Sequence, residues 1–264
     1  MAEIHAFKVG YCTHPACMAV KGAGLRPRPF PSRAYLLMTQ SGPYLWDTGY
    51  SEHFSEEARG IYTPYRWVTP VHYQHDADCL ETQLARFGVW PRDIRAILIS
   101  HFHADHVSGL RDYPGVPMMA SRFALDAIRK LQGLAALRRA FIPALLPKDF
   151  EERIQAFEST PARDLPAALH PFKQGWPIDA GGELWAVALP GHAEGHMGAF
   201  VQTESGWQLL AADAAWAPEA YRELRGPAEL SFLIQHSRKE YYKTLAKLHA
   251  LDGNGIKIHL SHEM

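Results

Sequence analysis

The segment that most constrains this chain is Ser100-His101-Phe102-His103-Ala104-Asp105-His106. It follows directly on Ala96-Ile97-Leu98-Ile99, a continuous apolar run of the kind that forms strands buried on both faces. Three imidazoles and a carboxylate in so short a run are a poor choice for packing, because each buried polar group needs a partner. They suit a borderline-soft metal ion, which takes neutral imidazole nitrogen and carboxylate oxygen. The run ends in Val107-Ser108-Gly109, so it reads as a loop leaving the carboxyl end of a strand, where open α/β sheets place their ligand sites. His101 and His103 point the same way in extended geometry. Asp105 and His106 follow where the chain turns.

One loop cannot close two metal shells, so further donors are expected from other strand ends. His192 lies in Leu189-Pro190-Gly191-His192-Ala193-Glu194-Gly195-His196, just past an apolar strand pattern. Asp213 follows Leu209-Leu210-Ala211-Ala212, and His262 lies in Ile258-His259-Leu260-Ser261-His262-Glu263. Taken singly, a histidine after a strand is an ordinary hydrogen-bonded residue. In this order behind the first cluster, the three become candidate ligands. The 15 histidines of the chain are its one abnormal count, and histidine is the commonest metal ligand.

The remaining pattern reads as alternating strands and helices. Strands are expected at 34–38, 44–46, 96–99, 183–189, 198–203, 207–212 and 256–260, and helices at 78–87, 121–141, 148–157 and 237–250. Residues 24–33, Gly-Leu-Arg-Pro-Arg-Pro-Phe-Pro-Ser-Arg, are proline-rich and read as an extended surface loop. No repeat, low-complexity tract or linker divides the chain, so residues 1–264 are read as one α/β domain with layered sheets under helices.

Composition narrows the function. With 27 basic against 28 acidic residues the chain has no general field for a polyanion, and no nucleic-acid partner is expected. No stretch reaches the roughly 18 apolar residues of a membrane span, and no secretory leader is visible. Cys12, Cys17 and Cys79 are too few for a disulfide framework and fit a reducing compartment. Cytoplasmic location is therefore expected. Cys12 and Cys17 flank His14 but read as ordinary thiols, since no second Cys/His pair at zinc spacing follows.

These motifs together resemble the metallo-β-lactamase superfamily. Asp47-Thr48-Gly49 is similar to its first motif, the His-x-His-x-Asp-His run at 101–106 to its second, and His192, Asp213 and His262 to the third, fourth and fifth. The resemblance implies an αββα sandwich, here with a helical insertion around 121–157, and two divalent metal ions, Zn(2+) in most members. It implies that His101, His103 and His192 bind one ion, that Asp105, His106 and His262 bind the other, and that Asp213 bridges them. Asp47 and His196 are then supporting residues behind the ligands. His262 is preferred to His259 because Ser-His-acidic matches the family motif.

Within the superfamily the N-acyl homoserine lactonases are the most similar branch. The aspartate at 213 separates the chain from the true β-lactamases, and the histidine at 103 from the oxygen-reducing diiron members. The helical glutathione-binding domain of glyoxalase II is not expected, because the sequence stops soon after His262. The resemblance implies a metallohydrolase in which hydroxide, formed from water shared by two ions, attacks a lactone or ester carbonyl, with Asp105 as the catalytic carboxylate. The substrate would be a small acyl lactone, ester or thioester. The alternatives are a glyoxalase II-like thioesterase and a metal-retaining binding protein with little turnover. Lactonases carry a tyrosine three residues past the bridging aspartate. Trp216 stands there in this chain, so Trp216 and Tyr221 are the candidate substrate contacts, with Tyr241 and Tyr242 as substitutes. The apolar helices between 123 and 147 are expected to line an acyl pocket, to act as a lid or to form a homodimer surface.

Overall fold

Burial with a period of two along the strands decides how the layers stack. The computed structural model describes residues 1–263. Seven strands form one sheet: β1 (Glu3–Pro15), β2 (Pro27–Thr39), β3 (Gly42–Trp46), β4 (Val71–His72), β5 (Ile97–Leu98), β6 (Met118–Ala120) and β7 (Ile154–Ala156), in the order β4-β1-β2-β3-β5-β6-β7. Six more form the second: β8 (Arg163–Asp164), β9 (Gln174–Pro177), β10 (Leu184–Ala188), β11 (Met197–Thr203), β12 (Gly206–Ala212) and β13 (Lys257–Leu260), in the order β13-β12-β11-β10-β9-β8.

Alternate side chains serve different cores. Tyr35, Leu37, Tyr44, Trp46 and Leu98 of the first sheet meet Leu184, Ala186, Ala199, Val201 and Leu210 of the second in one apolar cluster. Their neighbours Leu36, Leu45, Ile97, Val187, Phe200 and Leu209 belong to a larger cluster, shared with the helices on the outer faces. The helix Arg238–Gly253 contributes Leu245, Leu248 and Leu251 to it. The result is the αββα sandwich that the resemblance implied.

Strand direction gathers five carboxyl ends at one place. β3, β5, β6 and β7 run parallel. In the second sheet β10 and β12 both run antiparallel to β11, and β13 pairs parallel with β12. β3, β5, β10, β12 and β13 therefore deliver the segments that begin at Asp47, Ser100, Leu189, Asp213 and Ser261. Two turns in these segments require glycine. Gly49 has φ +70, and a Cβ there would strike the Val9 side chain; Gly191 has φ +134 and lies against the Tyr241 backbone.

Two local expectations are corrected. The proline-rich stretch 24–33 is not a loop: β2 starts at Pro27 and pairs with β1 through Pro27↔Pro15, Pro29↔Thr13 and Pro31↔Tyr11. β3 reaches only Tyr35–Thr39, so this half of β2 has an open second edge, where the missing N–H groups cost no ladder bond. Residues 148–157 are also not one helix. The helix stops at Arg153 after Phe150, and Ile154–Ala156 joins the sheet as β7. Between 121 and 141 the helical expectation holds as two short helices, Arg122–Ile128 and Gly133–Leu137.

The pairing of β12 with β13 carries a pH consequence. His259 donates from Nε2 to Gln208 Oε1 at 2.7 Å across this pair, which makes it a structural residue of the sheet. Burial, reinforced by Lys257 and Arg33, holds its imidazole at about 4. An unfolded chain binds that proton at about 6.5. Between those values the unfolded state holds a proton that the folded state lacks, so stability falls on acidification. We predict that His259→Gln lowers the unfolding temperature less than the wild type does between pH 7 and pH 4.5. Parallel declines in a thermal scan series would show that His259 protonates without cost.

Candidate metal centre

The residues delivered by the five strand ends converge, and all are buried. His101, His103 and His192 form one group, and Asp105, His106, Asp213 and His262 a second, each with donor atoms within 4.8 Å of one another. Imidazole rings connect the two: His101 and His106 have centroids 4.1 Å apart. Asp213 faces both groups. Its Oδ2 lies 2.9 Å from His262 Nε2 and 3.3 Å from His192 Nε2, and its Oδ1 lies 3.2 Å from His106 Nε2. Asp105 Oδ2 lies 3.4 Å from His106 Nε2 and 3.5 Å from His262 Nε2.

A second layer fixes which nitrogen of each ring faces inward. His106 donates from Nδ1 to Asp47 Oδ2 at 2.8 Å, and His262 donates from Nδ1 to the Pro31 carbonyl at 2.8 Å. Both therefore present the Nε2 lone pair to the centre. Asp47 also accepts from Ser100, through the backbone N–H at Oδ1 and the hydroxyl at Oδ2, each at 2.8 Å. The Ser100 hydroxyl contacts His101 Nδ1 at 3.0 Å. Asp47 and Ala212 have positive φ, +56 and +45. Such conformations cost of order 1–3 kcal/mol and persist where the surroundings over-determine them.

This arrangement leaves acceptors facing acceptors. With its Nδ1 proton committed to Asp47, His106 turns a lone pair toward Asp213 Oδ1, and neither atom has a hydrogen-bond partner. His101 Nε2 is buried and unpartnered as well. Only a cation between these atoms relieves the conflict, either protons or metal ions. The donor set, imidazole nitrogens and carboxylate oxygens in groups of three and four, fits zinc and similar divalent ions.

The electrostatics divide in the same way. Burial pushes the His101 and His192 imidazoles well down and holds His103 at about 4. The first group is thus neutral at ordinary pH, the form that binds a metal. In the second group burial is outweighed. Asp105, Asp47 and Asp213 raise His106 far above the ordinary histidine range, and Asp213 raises His262. Burial alone would lift Asp105, but His106 and His262 hold it at about 2. The same balance, led by His262, puts Asp213 well below the usual carboxylate range. Asp47 is raised by burial.

His196 stands behind the donor atoms. It donates from Nδ1 to the Leu189 carbonyl at 3.1 Å, and its Nε2 accepts the Asp213 backbone N–H at 3.2 Å. Burial holds it at about 3. Trp216 lies beside the second group and donates from Nε1 to Asp213 Oδ2 at 2.8 Å. Tyr221 is not brought to the cluster. It is a buried residue of the short helix Pro218–Arg222, with Arg222 and Asp252 near its hydroxyl. Tyr241 is buried against Phe232. Sequence reasoning missed Ser100, although it sits immediately before His101 between two recognised motifs. It also missed the Pro31 carbonyl, which no side-chain pattern could reveal.

Two cavities border the cluster. One, of about 310 Å³, touches His103 and His192 and is walled by Phe102, Phe123, Ile128, Leu131, Phe141 and Ile234. The other, of about 400 Å³, touches His262 and is lined by Phe30, Trp216, Arg28 and Arg225.

Comparison with known proteins agrees with this architecture. An N-acyl homoserine lactonase of Bacillus cereus is 27% identical over 197 residues, which are 73% of this chain and 67% of that protein. A solved structure of an N-acyl homoserine lactone hydrolase, with the product N-hexanoyl-L-homoserine at its catalytic metal centre, superposes with a TM-score of 0.69. It is 19% identical and covers 99% of this chain and 93% of its own. A dizinc quorum-quenching lactonase in complex with a hexanoyl-homoserine product superposes with a TM-score of 0.68, at 16% identity, covering 99% of this chain and 87% of that one. The sequence model of the metallo-beta-lactamase superfamily matches residues 27–254. With most of its length matched and its fold shared, the chain belongs to the metallo-beta-lactamase superfamily.

Proposed function

We propose that this protein is a dinuclear zinc hydrolase that opens the ring of an acyl lactone, of the N-acyl homoserine type. The observation that carries the reading is the pair of buried donor groups, with Asp213 of the second reaching to 3.3 Å from His192 of the first and an apolar cavity against His103 and His192. His101, His103 and His192 would hold one ion, Asp105, His106 and His262 the other, and Asp213 both. Bound there, the ions would supply Lewis acidity and a water that loses its proton near neutral pH.

The chain's own residues then complete the reaction. The cavity walled by Phe102, Phe123 and Phe141 takes the acyl arm, because burying apolar surface there is favourable. The ring end points toward the cavity at His262 and Trp216. Water adds to the lactone carbonyl carbon, and the ring C–O bond breaks to give an acid and an alcohol. Asp105, ionised at neutral pH because His106 and His262 hold it at about 2, accepts the water proton at Oδ1, the oxygen turned away from those two rings, and returns it to the leaving oxygen. Asp47 and Ser100 keep His106 oriented throughout. The curated relatives named as N-acyl homoserine lactonases support a lactone over a thioester. The three cysteines are free, which supports a reducing compartment and with it a cytoplasmic location.

Three measurements test the reading. Mass spectrometry of protein grown with ample zinc should give about two zinc ions per chain, with fewer in Asp213→Ala and His262→Ala; one or none in the wild type would overturn the dinuclear site. Asp105→Asn should lower kcat by roughly 10²–10⁴-fold, the usual worth of general acid–base help, with metal content determined on the same preparation. Finally, kcat/KM on an acyl homoserine lactone should exceed that on the matched acyl thioester by at least about tenfold. The opposite ratio would favour the thioesterase reading.

A further inference from the structure

Trp216 is tied to the second donor group twice. Its indole Nε1–H donates to Asp213 Oδ2 at 2.8 Å, and its ring lies against His262 with centroids 4.4 Å apart. Phe30 backs the indole at 5.3 Å, and His14 flanks it at 5.8 Å. The ring is half-buried and forms part of the wall of the cavity at His262.

The accepting oxygen is the one that matters most at the centre. Asp213 Oδ2 also lies 2.9 Å from His262 Nε2 and 3.3 Å from His192 Nε2, so it lies between the two donor groups. A carboxylate that serves both groups must not rotate. His196 fixes its backbone through the Asp213 N–H; apart from Trp216, the side chains that reach its oxygens at these distances are His106, His192 and His262, which belong to the donor groups themselves. An indole N–H is a donor only, so it can steer the carboxylate without ever competing as a ligand. The indole packs at a tilt against both His262 and Phe30, which flank it and hold it in place.

We infer that Trp216 is a positioning residue for the metal centre, with its N–H engaged by Asp213 and only its ring face presented to substrate. The inference rests on the dinuclear reading above. Outer-shell partners of this kind typically account for 10–100-fold in metal affinity.

The test is Trp216→Phe, which keeps an aromatic ring against His262 and removes the donor. In competition with a chromophoric zinc chelator, the variant should hold at least one zinc about 10–100-fold more weakly than the wild type, while the metal-free forms unfold at similar temperatures. Zinc titration of the wild type should change tryptophan fluorescence, and the variant should lose most of that change although six of the seven tryptophans remain. A measurement without any variant covers the case in which Trp216→Phe fails to fold. In ¹⁵N-labelled wild type, one indole N–H should be protected from solvent exchange and shift when zinc is added. Wild-type affinity in the folded variant, or no zinc-responsive indole N–H, would overturn the inference and leave the dinuclear reading standing. A wild-type chain that binds no zinc would overturn both.

Discussion

Lone pairs pointed at lone pairs are the constraint on which the rest of this structure depends. His106 and His262 have their outer protons committed to Asp47 and the Pro31 carbonyl, and their inner nitrogens face Asp105 and Asp213. Such an arrangement is costly in a buried site unless positive charge fills it. The surrounding fold keeps it from relaxing. Each donor sits just past a strand buried on both faces, and Leu98, Ile99, Leu189, Ala211 and Leu260 are wholly inaccessible. Packing at interior density transmits little slack, so the side chains stay where the conflict is unavoidable.

That rigidity also explains the asymmetry between the two groups. The His101–His103–His192 group is neutral because burial dominates there. The second group separates charge because three carboxylates crowd two imidazoles. On the proposed reading, a neutral set and a charge-separated set beside each other would offer two ions different fields, so the ions need not be equivalent even when they are the same element. Asp213 joins the two fields, and the contacts from His196 and Trp216 both end on it.

Much of this was legible in the sequence, for reasons that can be traced. The run at 101–106 announced itself because imidazole and carboxylate have no packing rationale behind Ala96–Ile99. His192, Asp213 and His262 were readable because each follows an apolar stretch that can only be a buried strand, and the choice of His262 over His259 agrees with the Gln208 contact made by the latter. What failed was local. Pro27, Pro29 and Pro31 looked like loop residues because proline weakens a sheet, and only the topology reveals that their half of β2 has a free edge. Residues 154–156 looked helical because a strand of three residues is too short for alternation to appear. The contact between Trp216 and Asp213 was hidden for a different reason: an N–H donor three residues past its acceptor is visible in sequence, but its direction is not.

The placement of β13 has a further consequence for how the centre comes into being. Its parallel pairing with β12 is what carries His262 to the cluster, and parallel partners must be joined by a long crossover, here containing the helix Arg238–Gly253. During synthesis from the amino terminus, His101, His103 and His192 all emerge before His262. The neutral three-histidine group can therefore be assembled while the acidic group still lacks a member. Long-range closures of this kind are the slow steps in folding. On the proposed reading, the three-histidine position would thus be complete before the second, which waits for the last strand to dock.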